Sequence, residues 1–261
     1  MTRLIALLAA PMLFLLPLGS AMAQQQSSPQ VSDLSQGQRL QLRAEVRAYL
    51  LENPEVIVEA LQLLEERRAQ EALQADRDLV SNNFQAIYED GHSYIGGNPE
   101  GDVTLVEFSD YRCGFCKQAH PDIARVLQAD PNVRLIIKEF PILGPDSVAA
   151  GRMAIAAKAL DEGRYGGLND ALMSYPGNLT ERAAYRIAEN EGYDVDSLRE
   201  LAASDETTVK LEANYRLAQT IGIRGTPGFI VGDEIIRGLL PANELLALID
   251  AERREARAQS N

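Results

Sequence analysis

The chain has 261 residues, with 25 Lys and Arg against 38 Asp and Glu, for a formal net charge of −13. An acidic balance of this size argues against nucleic acid and anionic membrane surfaces as partners. The length suits one substantial domain plus an extension, and the chain carries two cysteines, two histidines and no tryptophan.

The N-terminus reads as an export signal. Arg3 opens a short basic region, Leu4 to Leu18 is apolar but broken by Pro11 and Pro17, and Ala21-Met22-Ala23 is a small-x-small cleavage site. The run is too short and poorly flanked for a membrane span, with an uncleaved anchor as the alternative. No cysteine follows it, which argues against a lipoprotein. Cleavage after Ala23 leaves 24 basic against 38 acidic residues, or −14. In a Gram-negative bacterium the mature chain is expected in the periplasm, where disulfides form and persist.

Residues 24–38 are rich in Gln and Ser and are expected to be a flexible linker. A helix is predicted from Arg39 to Leu51, with Leu42, Val46 and Leu50 on one face. Asn53-Pro54-Glu55 reads as a restart, with Asn53 as N-cap and Pro54 at the first helical position. Neither Gly nor another Pro interrupts the chain before Gly91, so one helix is predicted from Pro54 to Glu89. It would be about 54 Å long. Ile57, Leu61 and Leu64 make a short stripe, and Leu73, Val80 and Ile87 recur at seven-residue spacing between charged runs. A narrow seam on a charged helix predicts a coiled-coil-like stalk over residues 39–91 that pairs with copies of itself. The alternative is a helix that packs back on its own domain.

The catalytic domain is assigned to residues 92–261. Val103–Ser109 and Val133–Phe140 read as parallel strands flanking a helix from Cys116 to Ala129. Helices are predicted at 147–160, 168–174, 180–191, 197–203 and 206–221. Strands Gly228–Val231 and Glu234–Arg237 follow, joined through Gly232-Asp233, and Pro241 opens a last helix to Arg254.

Both cysteines lie in one motif, Cys113-Gly114-Phe115-Cys116, at the first strand-to-helix junction. A loop this short removes little unfolded-state entropy, so the value of the pair is chemical rather than structural. Cys113 at the helix start is favoured as a thiolate by the unsatisfied N–H groups there. A redox dithiol is the leading reading. Buried structural cysteines are one alternative, and a Cu(I) site made with His120 is another. The remaining histidine, His92, has no such proximity, and a zinc site lacks its four ligands.

On these residues the chain resembles the thioredoxin-fold thiol–disulfide oxidoreductases of the DsbA-like superfamily. Glu107, six positions before Cys113, matches that family's buried acid. Lys117 and Pro121 match its active-site helix, and Thr226-Pro227 matches the loop whose proline is cis. The signal, the helical extension and Cys-Gly-Phe-Cys are most similar to the suppressor-of-copper-sensitivity C (ScsC) and Com1-like exported proteins. The resemblance implies an α/β thioredoxin fold with an inserted helical subdomain, preceded by the helical stalk. It implies no cofactor beyond the redox-active Cys113–Cys116 disulfide.

The expected chemistry runs through Cys113 as the exposed nucleophile, which attacks a substrate disulfide, and Cys116, which resolves the mixed disulfide. Glu107 would exchange protons with Cys116, while Thr226, Pro227 and Phe115 would contact substrate. The Gly-Phe dipeptide, where strong oxidases carry Pro-His, favours an oligomeric isomerase or reductase acting on misoxidised exported proteins. A dithiol oxidase and a Cu(I)-binding thiol protein remain open. The implied redox partner is a DsbD-like or DsbB-like membrane protein. Without the dipeptide histidine, the Cys113 pKa is expected above the most acidic known case, within roughly 3.5–7.5.

Overall fold

The computed structural model describes residues 34–259. The expected signal peptide, its cleavage site after Ala23 and residues 24–33 of the linker lie outside the described residues. The chain divides into two compact units between Leu63 and Leu64.

In the first unit, α1 (Gln36–Glu52) starts three residues earlier than predicted. Ser35 Oγ accepts the Gln38 N–H at 3.3 Å, and Gln38 Oε1 accepts the Ser35 N–H at 2.9 Å. This reciprocal cap takes Gln36–Gln38 out of the expected linker. Asn53 does not cap the next helix as predicted. Its side-chain amide donates back to the Tyr49 carbonyl at 2.9 Å and so closes α1. No residue of α1 is buried. Leu40, Leu42, Val46, Tyr49 and Leu51 are exposed, as are Ile57, Val58, Leu61 and Leu63 at the start of α2 (Glu55–Asn82).

The second unit begins within α2. The helix predicted to run unbroken from Pro54 to Glu89 breaks at Asn83, whose side-chain amide donates to the Leu79 carbonyl at 2.8 Å. A short α3 (Phe84–Tyr88) follows. The expected seam through Leu73, Val80 and Ile87 is divided. Val80 and Ile87 are buried in a cluster with Val106, Phe108, Ile136 and Ile230, whereas Leu73 is exposed. Burying such a side chain is worth about 1.5–3 kcal/mol, which favours the sheet's apolar face as its partner. Arg237 reinforces the join with two bonds to Asp76, at 2.8 and 2.9 Å.

The five strands are β1 (Tyr94–Gly97), β2 (Val103–Ser109), β3 (Val133–Glu139), β4 (Gly228–Val231) and β5 (Glu234–Arg237), in the order β1-β3-β2-β4-β5. β2 and β3 are parallel as predicted, and the other pairings are antiparallel. β1 was not predicted. The β4–β5 turn needs its glycine: Gly232 has φ +54°, and a Cβ there would overlap the Glu252 carboxylate.

Helix α4 (Gly114–Ala129) joins β2 to β3. Five helices are inserted between β3 and β4: α5 (Pro145–Leu160), α6 (Glu162–Ser174), α7 (Glu181–Asn190), α8 (Val195–Ala203) and α9 (Asp205–Thr220). α10 (Ala242–Gln259) closes the chain. α6 begins six residues before the predicted Leu168. Asp161 caps it, and Gly166 lets it approach Tyr94, whose hydroxyl lies 3.1 Å from where a Cβ would sit. A mixed sheet built as β-α-β, then inserted helices, then β-β-α, is the expected thioredoxin fold.

Each sheet face carries its own core. Val103, Leu105, Leu135 and Ile137 pack on one side with Cys116, Ile123, Leu245 and Ile249 of α4 and α10. Val106, Phe108 and Ile136 pack on the other with Leu217 and Ile221. Glu107, by alternation along β2, belongs to the α4 face.

Candidate active site

Cys113 is the N-cap residue of α4, with φ −75° and ψ 120°. The loop before it is braced by Asp110, a residue the sequence reading passed over. The Asp110 carbonyl accepts the Cys113 N–H at 3.0 Å. Its buried carboxylate accepts the N–H groups of Arg112, Ile142 and Leu143 at 2.8, 2.9 and 3.1 Å. The cysteine therefore stands at the helix's positive end, where a thiolate is stabilised.

The Cys113 thiol donates to the Thr226 carbonyl at 3.2 Å, and the Thr226–Pro227 peptide bond is cis. The structure thus brings together all four of Cys113, Cys116, Thr226 and Pro227, although they span more than 110 positions. The cysteines are unbridged. Cys113 is less exposed than expected, at 6 % against 0 % for Cys116, because the Pro227 loop covers it. Phe115, by contrast, is 62 % exposed beside it.

Beneath Cys116 lies Glu107, buried on β2. Burial pushes its carboxyl up to about 7, and the Ser109 hydroxyl, donating to Glu107 Oε1 at 2.9 Å, only partly opposes this. Burial likewise pushes the Cys116 thiol far above the usual thiol range. The Glu107 charge adds to that shift, while the Asp110 backbone and Ser109 hydroxyl oppose it. A thiol and a carboxyl this close, both reluctant to ionise, favour passing one proton between them.

A second buried acid, Glu139, lies on β3 beside them and was also missed. The hydroxyls of Tyr111 and Tyr165 donate to its Oε1 at 2.7 and 2.5 Å. Burial outweighs both bonds and raises its carboxyl to about 8. Its signal was present in the sequence, since Glu139 stands in phase with Leu135 and Ile137 on the core face of β3.

Lys117 Nζ donates to the Tyr175 carbonyl at the end of α6, at 2.6 Å, and so ties the active-site helix to the inserted helices. Pro121 sits inside α4 without ending it. His120 does not join the cysteines: its Nε2 lies 3.0 Å from Asp170 Oδ1. His92 pairs with Asp90 and Asn214 instead. Among the described residues no group of three or more His, Cys, Asp or Glu is placed to hold a metal ion.

Comparison with known proteins gives two family matches. Residues 104–250 match the DSBA-like thioredoxin domain, and residues 38–71 match the copper resistance protein ScsC N-terminal domain. A thioredoxin-like oxidoreductase from Silicibacter pomeroyi DSS-3 is 38 % identical, over 65 % of this chain and 97 % of that one, with a TM-score of 0.63. Proteus mirabilis ScsC in a transitional conformation is 26 % identical, over 86 % of this chain and 99 % of that one, with a TM-score of 0.62. Among curated proteins, the Na(+)/H(+) antiporter NhaA 1 of Salinispora arenicola is 26 % identical over 165 residues, 63 % of this chain. The chain spans about a quarter of the length of such relatives, and none of its described helices is long and apolar enough to cross a membrane.

Proposed function

We propose, since the chain belongs to the DSBA-like thioredoxin domain family and is a thiol–disulfide oxidoreductase, that it serves in the periplasm as an oligomeric disulfide isomerase or reductase. The observation that carries the exchange chemistry is the Cys113 thiol at the α4 N-terminus, held to Thr226 with Cys116 buried over Glu107. The Cys113 thiolate attacks a substrate disulfide, one substrate sulfur leaves, and a mixed disulfide forms. Glu107 takes the Cys116 proton, the Cys116 thiolate attacks the Cys113 sulfur, and the second substrate sulfur departs. The substrate disulfide is reduced and the Cys113–Cys116 pair oxidised. Phe115 offers an exposed apolar contact for an unfolded chain, and the Thr226 backbone before Pro227 would pair with an extended segment of it.

Two features favour isomerisation over oxidation. The Gly114-Phe115 dipeptide between the cysteines has no histidine to stabilise the Cys113 thiolate further. The first unit carries a row of exposed apolar side chains, including Leu42, Val46 and Leu61, which supports pairing with further copies. Several active sites around one shared space suit large misoxidised substrates. A DsbD-like membrane donor would keep the pair reduced.

The deciding experiment compares refolding of scrambled ribonuclease with oxidation of reduced ribonuclease by the mature chain, with Cys113→Ala as control. Recovery mainly from the scrambled substrate is expected. Recovery mainly from the reduced substrate would make the protein a dithiol oxidase with a DsbB-like partner. Sedimentation of the mature chain beside one beginning at Leu64 tests the oligomer, and a monomeric mature chain would overturn it.

A further inference from the structure

A proton that Glu107 accepts from Cys116 must still leave. Glu107 is 3 % exposed, on the covered face of the sheet. A cleft of about 310 Å³ nevertheless reaches it, walled by Ile123 of α4 and Ile137 of β3, with His120 and Asp170 also in its lining. At about 30 Å³ per molecule that space holds several waters.

His120 lies one helical turn beyond Cys116, on the same side of α4. Its side chain is 20 % exposed, and that of its partner Asp170 is 71 % exposed, so the pair runs from the cleft wall to solvent. Asn169 shares the lining at 7 % exposure, and its Oδ1 has no hydrogen-bond partner among the described residues. A buried acceptor of this kind is one that an ordered water satisfies. Glu107 faces Cys116 from α4, Glu139 from β3 and Tyr165 from α6, with Cys113 a further influence on the Cys116 thiol. His120 faces Asp170, and Lys117, one turn earlier, is turned to the Tyr175 carbonyl.

We propose that this cleft is the route by which Glu107 exchanges its proton with solvent, with His120 and Asp170 as the positioning pair that relays it at the mouth. The inference rests on the proton-accepting role given to Glu107 above. In the second half-reaction the Cys116 proton passes to the Glu107 carboxylate, and the Cys113–Cys116 bond forms as the substrate sulfur leaves as a thiolate. Glu107 then gives the proton to cleft water, His120 passes it outward, and the carboxylate is restored. No further reductant or oxidant takes part.

The test is single-turnover kinetics of the mature chain on a peptide disulfide, resolving mixed-disulfide formation from release of the second thiol. The turnover is started by a jump from about pH 5 to about pH 8, so that Glu107 must first lose its own proton through the cleft before it can take that of Cys116. Glu107→Gln should slow the second step by about 100-fold and leave the first unchanged. His120→Ala should slow the same step by roughly tenfold, with less effect because bulk water partly substitutes. Millimolar imidazole should restore the His120→Ala rate, which a merely structural defect would not allow. Ala124→Phe, in the wall of the same cleft, should slow the second step without imidazole rescue. Wild-type second steps in His120→Ala and Ala124→Phe beside a slow Glu107→Gln would overturn the route and leave the role of Glu107 standing. A slow His120→Ala that imidazole fails to restore, with Ala124→Phe fast, would also overturn it. A fast Glu107→Gln would remove the role of Glu107 and the route together.

Discussion

Two adjacent residues of β3, Lys138 and Glu139, open onto opposite faces of the sheet and meet opposite electrostatic conditions. Lys138, fully buried, donates to Asp90 Oδ2 at 2.6 Å and to the Ala86 carbonyl at 2.8 Å. Burial alone would raise the Asp90 carboxyl, but the Lys138 charge and bonds from Lys138 and Ser93 outweigh it and hold it at about 2. On the other face Glu107 and Glu139 have hydroxyl donors but, among the described residues, no buried cation beside them, and burial raises both, to about 7 and about 8. The paired face spends its charges on holding α3 and the following loop to the sheet. The unpaired face keeps protons bound but loosely enough to trade with a thiol near neutral pH.

The largest effect should come from breaking the paired face. Lys138→Met leaves the partly buried Asp90 without its cation and should cost about 3 kcal/mol in denaturant unfolding. Adding Asp90→Asn should recover most of that loss, and a single-variant cost below about 1 kcal/mol would erase the contrast between the faces.

Glu107→Gln should act in the opposite direction and only at higher pH. The folded pKa is raised, so the folded state binds the proton more tightly than the unfolded chain. Stability is then complete below about 4.5 and falls as pH rises through about 7. The neutral side chain should therefore stabilise by up to about 3 kcal/mol at pH 8 and change little at pH 4. Parallel wild-type and variant melting curves across this window would show that Glu107 has a cation partner after all. In the wild type, the rate of thiol release should rise through about pH 7 as the accepting carboxylate forms.

Smaller shifts sharpen the picture. Ser109→Ala removes the bond that stabilises the Glu107 carboxylate, so stability should drop by about 1 kcal/mol and the rate profile should move to higher pH. Glu139→Gln replaces a carboxyl that is already neutral at pH 6, and should change stability there by less than about 1 kcal/mol. A profile that stays put in Ser109→Ala would mean the hydroxyl does not report to Glu107.

Much of the reacting centre was legible because it is written in local signals. Cys113 and Cys116 follow an apolar strand, whereas Glu107 was read through family resemblance, as the acid six positions before Cys113. Thr226-Pro227 was readable through family resemblance, not through any local pattern. Asp110 was not legible, since its partners Ile142 and Leu143 come from a loop that only the folded sheet brings near. Glu139 was legible in principle, by its phase with Leu135 and Ile137 along β3. β1 escaped because four residues ending in Gly96-Gly97 carry no strand periodicity, and the ladder with β3 supplies what propensity lacks. Val80 and Ile87 were misassigned because seven-residue spacing does not say which apolar surface receives it. A sheet face of the same domain wins over a second helix when it lies within reach.

The opposed pair on β3 also bears on strand alignment. Both faces of β3 are covered, and from Leu135 to Ile137 its side chains are apolar on either side, so the hydrophobic pattern alone does little to penalise a slip by one residue. Such a slip would carry Lys138 beneath the thiols and set Glu139 against Asp90, two carboxylates with their cation removed. The two charges thus make one register far cheaper than its neighbours, and the strand that holds the chemistry is aligned by the same residues that perform or support it.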